Sequence, residues 1–412
     1  MERADVSGLV ECSKLADKLR VMKTLIVASL AESLINFRGT LIAALQASGM
    51  QVHVAAPEMQ LGCSVRKQLE ARGCVVHTIP LSRTGTNPFV DLCSLLSLLW
   101  LMWRIKPSHV LCYTIKPVIY GSLAARWSKV PHRFALITGL GYTFSVKSTH
   151  GNTMRRWVRD AVIFLYGKAL TGVDKVFFQN PDDAALFRQQ GILSTHVVSL
   201  VVNGSGVDLS YFQMKPLLSG QPSFLLVARL LGDKGIREYA EAAKLIRARY
   251  PDITFALAGW IDENPDAISK TELDAWVAND GLTYLGHLSD VRQVLEACTV
   301  YVLPSYREGT PRTVLEAMAV GRPIITTDAP GCRETVVNGF NGFLVPVKSV
   351  EALVEAMLKF IEYPELMSIM GQHSRQIAEE KYDVHKVNAM MLKAMGVSNG
   401  QGEDNSITTS HG

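Results

Sequence analysis

No Cys-x-x-Cys pair and no Asp-x-Asp occurs in this chain, and its seven cysteines, Cys12, Cys63, Cys74, Cys93, Cys112, Cys298 and Cys332, are scattered. An odd, unclustered set suits neither a disulfide framework nor a zinc site, so a reducing compartment is expected, with no metal and no other cofactor. No secretory leader is expected either, since Met1 to Arg20 mixes Glu, Arg, Asp and Lys and has no apolar core. No apolar run reaches the ~20 residues that a membrane-spanning helix needs; the longest is Leu92 to Trp103. Cytoplasmic residence is the expectation. The basic residues come without any nucleic-acid-binding motif, which argues against RNA or DNA as a partner.

What is present is a chain of 412 residues, 48% hydrophobic and 19% charged, long enough for two cores. Strand-length apolar runs alternate with helical stretches from Thr24–Leu30 through Val197–Val201, and the alternation restarts at Phe224–Ala228 and continues to Phe343–Val345. Such alternation predicts an α/β fold of two doubly wound Rossmann-like domains, each a parallel sheet covered by helices, facing a central cleft. Asp208 to Pro222, with Pro216, Gly220 and Pro222, has the composition of a linker. The expected division is an extension over 1–20, a first domain over 21–210, a second over 211–382, a helix over 383–396 returning to the first domain, and a disordered tail over 397–412.

Charge separates the halves. Residues 1–200 carry 23 Lys and Arg against 12 Asp and Glu, net +11, whereas residues 201–412 carry 19 against 26, net −7. A basic first half points to an anionic partner, and an anionic membrane surface fits best. Two helices bear on this. Leu92–Trp103, followed at once by Arg104 and Lys106, reads either as a core helix or as a shallow insertion into a bilayer surface. A second, beginning near Asn152, sets Arg155, Arg156 and Arg159 around Trp157 and reads as a helix lying on anionic lipid or as a solvated basic face.

The densest chemical signal is Val300 to Gly331. A strand ends in the loop Pro304–Gly309, and a helix is expected to follow with Thr310 as N-cap and Pro311 at its first position. Its free N–H groups and positive dipole end, pointed at the cleft, would make a site for an anion such as a diphosphate. Glu308 precedes the helix and Glu316 lies within it, the latter able to accept two hydroxyl hydrogen bonds from a ribose. Arg229 and Lys234 follow the strand Phe224–Ala228, at the carboxyl end of the second sheet, where open α/β sheets bind ligands. Two cations and a helix end can neutralise a departing diphosphate, the largest rate term available to such a site.

These residues resemble the family 4 retaining glycosyltransferases of GT-B fold, whose signature is a Glu-(any seven)-Glu pair, here Glu308-GTPRTVL-Glu316. The resemblance extends through Ile35–Leu45, Thr86–Leu92 and Arg133–Gly141, covers about residues 21 to 395, and is strongest to bacterial N-acetylgalactosaminyltransferases acting on undecaprenyl-diphosphate-linked sugars. It implies a retaining hexosyl transfer in surface polysaccharide or glycan assembly, from a UDP-sugar donor to a polyprenyl-diphosphate-linked acceptor, by a protein peripheral on the inner face of the cytoplasmic membrane. Glu308, Arg229 and Lys234 are then the catalytic residues. Glu316, Gly309, Thr310, Arg312, Thr313, Val314, Leu315, Gly259, Gly286 and His287 are donor-binding, while Asn36, Arg38, Lys116, Gly139 and Gly141 follow first-domain strands and face the acceptor. The chain departs from the family after its first strand, where Ala28–Ser33 lacks the Gly-Gly pair that many members carry. An epimerase of the same fold and a non-catalytic membrane scaffold are the rival readings, and they are separated by assaying the donor alone and by testing donor binding.

Overall fold

The computed structural model describes residues 22–82, 87–139, 153–218, 220–262, 264 and 266–397, with the side chains of 153–159 left undescribed. Two parallel sheets organise it. The first contains β1 (Lys23–Val27), β2 (Gln51–Ala56), β3 (Val75–Thr78), β4 (His109–Tyr113), β5 (His132–Ile137), β6 (Lys175–Phe178) and β7 (Val198–Val201), in the order β3-β2-β1-β4-β5-β6-β7. The second contains β8 (Ser223–Val227), β9 (Thr254–Ala258), β10 (Leu282–Tyr284), β11 (Val300–Leu303), β12 (Ile324–Thr327) and β13 (Gly342–Val345), in the order β10-β9-β8-β11-β12-β13. Strands buried on both faces, such as β1, β4, β11 and β12, read as continuous apolar runs in the sequence. Along β1, Leu25 and Val27 enter one core cluster and Ile26 and Ala28 the cluster on the opposite face.

Each sheet reverses its winding once, between β1 and β4 and between β8 and β11, and ligand crevices form at the carboxyl ends of such strand pairs. The two reversal points face one another across the interlobe cleft. The chain crosses between lobes twice, side by side: Val207 N–H donates to Tyr382 O at 2.8 Å, and Val384 N–H donates to Val207 O at 3.1 Å. After the second crossing the Val384–Met395 helix packs Met391, Leu392 and Met395 into the first lobe's core, and Lys175 Nζ caps it at Ala394 O, 2.5 Å away.

The apolar run at Leu92 is part of a longer helix, Pro88–Ile105, started by Asn87, whose side chain accepts from Phe89 N–H. By length and composition this helix is long enough to cross a membrane, yet its inner face, Leu98, Leu101, Met102 and Ile105, is buried in the first lobe. The core reading accounts for that face alone. Phe89, Leu92, Leu96, Trp100 and Trp103 form a stripe on the other face, each more than half exposed. The second basic helix is present as Thr153–Leu170, but the side chains of Arg155, Arg156, Trp157 and Arg159 lie outside the described residues.

Candidate functional site

Glu308 and Lys234 meet at the centre of the cleft. The Gly232–Lys234 turn ends at Gly235 with φ +71, a left-handed conformation, and a Cβ there would collide with the carbonyl of Pro304. Glycine thus lets the Lys234 turn lie directly on the loop after β11. Lys234 Nζ donates to Glu308 Oε1 at 2.5 Å, and Ser305 Oγ donates to the same oxygen at 2.9 Å. Burial pulls the ammonium down, but Glu308 and Asp233 outweigh it and hold Lys234 above the usual lysine range. Arg229 lies beside them, with Nη1 2.9 Å from Asp262 Oδ2.

The helix after the loop starts one residue later than expected. It spans Arg312–Val320 with Pro311 as its N-cap, and Thr310 makes no cap: its hydroxyl donates across the lobes to Gln179 O at 2.9 Å. Val314 and Leu315, expected among the donor-binding residues, do not line the interlobe cavity. Their side chains are buried in the core and their N–H groups both reach Pro311 O, so only Arg312 and Thr313 offer N–H groups without a partner within the helix. Glu316 is buried and accepts from Arg312 Nε at 2.7 Å; burial lifts its carboxyl above the usual range, with Arg312 acting against that.

A cavity of about 520 Å³ between the lobes brings together Glu308, Lys234, Arg229, Gly309, Thr310 and Thr313, with Gly259 and His287 on the second-lobe wall and Arg38 on the first. Arg312 and Thr313 also line an adjoining compartment of about 870 Å³, into which Glu316 and Asn36 open. Gly286 stands behind the wall, its carbonyl accepting from Gly259 N–H at 2.9 Å. Gly139 is a packing residue: at φ +113, its missing side chain admits the backbone of Gly309. Lys116 is not brought to the cleft. Its ammonium pairs with Asp91 Oδ1 at 2.7 Å, tying it to the Pro88–Ile105 helix. Gly141 lies outside the described residues.

The sequence reading missed the clasp that holds the Glu308 loop from the other lobe. Asn180, fully buried, donates through Nδ2 to the carbonyls of Glu308 and Gly309 at 3.1 and 2.9 Å. Asp183, on the same turn, pairs with Arg307, and Asp182 pairs with Arg333 at 3.0 Å. Locally the only signal was Asn180-Pro181, the start of the Pro181–Gln189 helix, where Asn180 Oδ1 accepts from Asp183 N–H. Trp260, packed edge-on against His287 with ring centroids 4.9 Å apart, was missed as a wall of the cavity for the same reason. Among the described residues no group of three His, Cys, Asp or Glu side chains is placed to hold a metal ion.

Residues 210–377 match the family model described as glycosyl transferases group 1, and residues 37–204 match that of a glycosyl transferase 4-like domain. The N,N'-diacetylbacillosaminyl-diphospho-undecaprenol alpha-1,3-N-acetylgalactosaminyltransferase of Campylobacter jejuni is 29% identical over 88% of this chain and 95% of its own. The UDP-Gal:alpha-D-GlcNAc-diphosphoundecaprenol alpha-1,3-galactosyltransferase of Escherichia coli is 26% identical over 68% and 74%. Among solved structures, HepE from Anabaena in complex with UDP and glucose superposes with a TM-score of 0.71 at 18% identity, covering 92% of this chain and all of that one. That likeness establishes the GT-B architecture.

Proposed function

Because the chain is a glycosyltransferase, built from a group 1 domain and a 4-like domain, we propose that it moves a hexose or N-acetylhexosamine from a UDP-sugar, with retention, onto a saccharide carried by undecaprenyl diphosphate. The observation that carries this reading is the Lys234–Glu308 pair beside Arg229 and the start of the Arg312–Val320 helix, all in one interlobe cavity. A diphosphate placed there meets two cations and two free N–H groups. As the bond from the sugar's C1 to the diphosphate oxygen breaks, UDP leaves with the bonding electron pair and those groups neutralise it. The acceptor hydroxyl forms the new bond to C1 and releases its proton to the leaving group or to solvent. Glu308 orients the sugar, the nucleoside reaches toward Glu316 in the adjoining compartment, and no metal is needed, because the protein supplies the positive charge.

The lipid-linked acceptor is supported by the two relatives named above and by the first lobe's basic sequence and exposed apolar stripe. Between Asp91 and Asp160 the chain has ten Lys and Arg and no acidic residue. Arg104 stacks over Trp100 at 5.3 Å, at the end of the exposed apolar stripe. Arg104 beside exposed Trp, Phe and Leu suits a surface resting on anionic lipid, and this supports reading the enzyme as peripheral on the inner face of the cytoplasmic membrane.

The test is product analysis: the protein with a panel of UDP- and GDP-sugars and undecaprenyl-diphosphate-linked saccharides, products identified by mass and anomeric configuration by NMR. A UDP-sugar giving an axial product linkage from an axial donor is expected, and Glu308→Gln or Lys234→Met should lower kcat by about 100-fold or more. Full turnover in both variants, or conversion of the donor without acceptor, would overturn the reading.

A further inference from the structure

Arg38 is a buried cation without a counter-ion among the described residues. It precedes the Gly39–Ala47 helix, is only 3% exposed, and its Nε has no hydrogen-bond partner. Among the described residues no carboxylate pairs with it. A second cation, Arg312, acts on it, and the partner of Arg312 is Glu316. Burying an unpaired guanidinium costs several kcal/mol, so the arrangement is incomplete without an anion.

The guanidinium is held ready for one. It lies over the Tyr113 ring, 5.2 Å from the centroid, and Tyr113 Oη is 2.7 Å from Ser33 Oγ. Ser33 Oγ donates to Leu30 O at 2.5 Å, so the phenol donates to the serine and the ring is fixed. Burial pushes the Tyr113 hydroxyl up to about 12, which keeps it neutral. No acid that could satisfy Arg38 comes from this side, and Arg38 is the one cation that the described first lobe places on the 520 Å³ cavity.

We propose that Arg38 binds the diphosphate of the lipid-linked acceptor, as a first-lobe anion site separate from the donor's. This rests on the reading of the enzyme as a transferase to such acceptors. The donor's diphosphate already has Lys234, Arg229 and the helix end on the second lobe, whereas Arg38 projects from the opposite wall, at the reversal point between β1 and β4. A planar guanidinium whose Nε has no partner can take two oxygens of one phosphate at once.

Inorganic pyrophosphate titrated calorimetrically into UDP-saturated full-length protein reads the site without the donor pocket. Wild type should bind it; Arg38→Met, which preserves the bulk, should weaken that binding roughly 10- to 100-fold, and Arg38→Lys should recover part of it, while UDP affinity stays the same in all three. In turnover assays the same variants should raise KM for a diphosphate-linked acceptor and erase its advantage over the monophosphate-linked one. The inference fails if pyrophosphate does not bind the UDP-saturated wild type or binds Arg38→Met equally well, and also if UDP affinity falls in parallel, which would assign the anion to the donor. Should Arg38→Met fold poorly by thermal melt, Arg38→Lys alone decides between these outcomes. A wild type that binds pyrophosphate but transfers to no lipid-linked acceptor sinks the proposed function instead.

Discussion

The amide of Asn180, on the first lobe, holds the main chain of Glu308, on the second, through paired hydrogen bonds to the carbonyls of Glu308 and Gly309. With the Thr310 hydroxyl on Gln179 O and Arg307 on Asp183, the loop that aims the carboxylate is fastened at several points by the opposite domain. Its geometry is therefore complete only when the lobes are together. Asn180→Ala leaves two buried carbonyls unmet, each worth about 1–3 kcal/mol, and loses the helix cap besides. The expected result is a kcat lowered by roughly tenfold or more, a melting point a few degrees lower, and unchanged UDP affinity, since under the proposed function the nucleotide is bound by the second lobe's own groups. Steady-state kinetics and calorimetry on one preparation check this, and an unaltered kcat would show that the clasp does not position Glu308.

The exposed stripe makes a separate prediction. Trp100→Glu with Trp103→Glu removes two large apolar groups from the face turned to solvent, each worth about 1.5–3 kcal/mol if buried in lipid. Co-sedimentation with vesicles containing phosphatidylglycerol should fall at least tenfold, while activity on a short-chain, water-soluble acceptor is kept. Equal sedimentation of variant and wild type would remove the Pro88–Ile105 helix from the membrane contact.

Acid should loosen the first lobe before the second. His53 is held down to about 4 by burial and by His77, whose Nε2 lies 2.9 Å from its Nδ1. His109 is likewise held down to about 4 by burial and by His132, their rings 4.6 Å apart. The unfolded chain takes up these protons near pH 6.5, and the folded chain resists until about 4. Stability from neutral burial is thus complete above pH 6.5 and is lost as the pH falls from 6.5 toward 4, on the order of a few kcal/mol for the pair. Melting points at pH 7, 5.5 and 4.5 should drop steeply for wild type and less for His53→Gln with His109→Gln. A wild-type melting point that does not move across this range contradicts the assignment.

Most strands were legible because a parallel strand sandwiched between helices is apolar along most of its length, and the meeting of Arg229, Lys234 and Glu308 was legible because they fall within two short segments at strand ends. Contacts built across the fold were not. Nothing near Lys116 in the sequence shows that Asp91 neutralises it, and nothing near Asn180 shows that Glu308 lies opposite. The Leu92 run defeated periodicity for a different reason: a helix apolar all round has no polar face to tell which side is buried, and only packing separates Leu98 and Leu101 from Leu96 and Trp100. Thr310 misled because it looks like a cap, while its hydroxyl is committed to Gln179.

The two crossings between the lobes lie hydrogen-bonded to one another at Val207 and Tyr382–Val384. Paired strings of backbone bend together about one line and resist twisting, so opening is confined to a swing like that of a door on two pins, with Arg38 and Lys234 on the facing edges. Severing the chain after Asp383 would withdraw one pin and strip Met391, Leu392 and Met395 from the far lobe, leaving a door that no longer returns to the same frame.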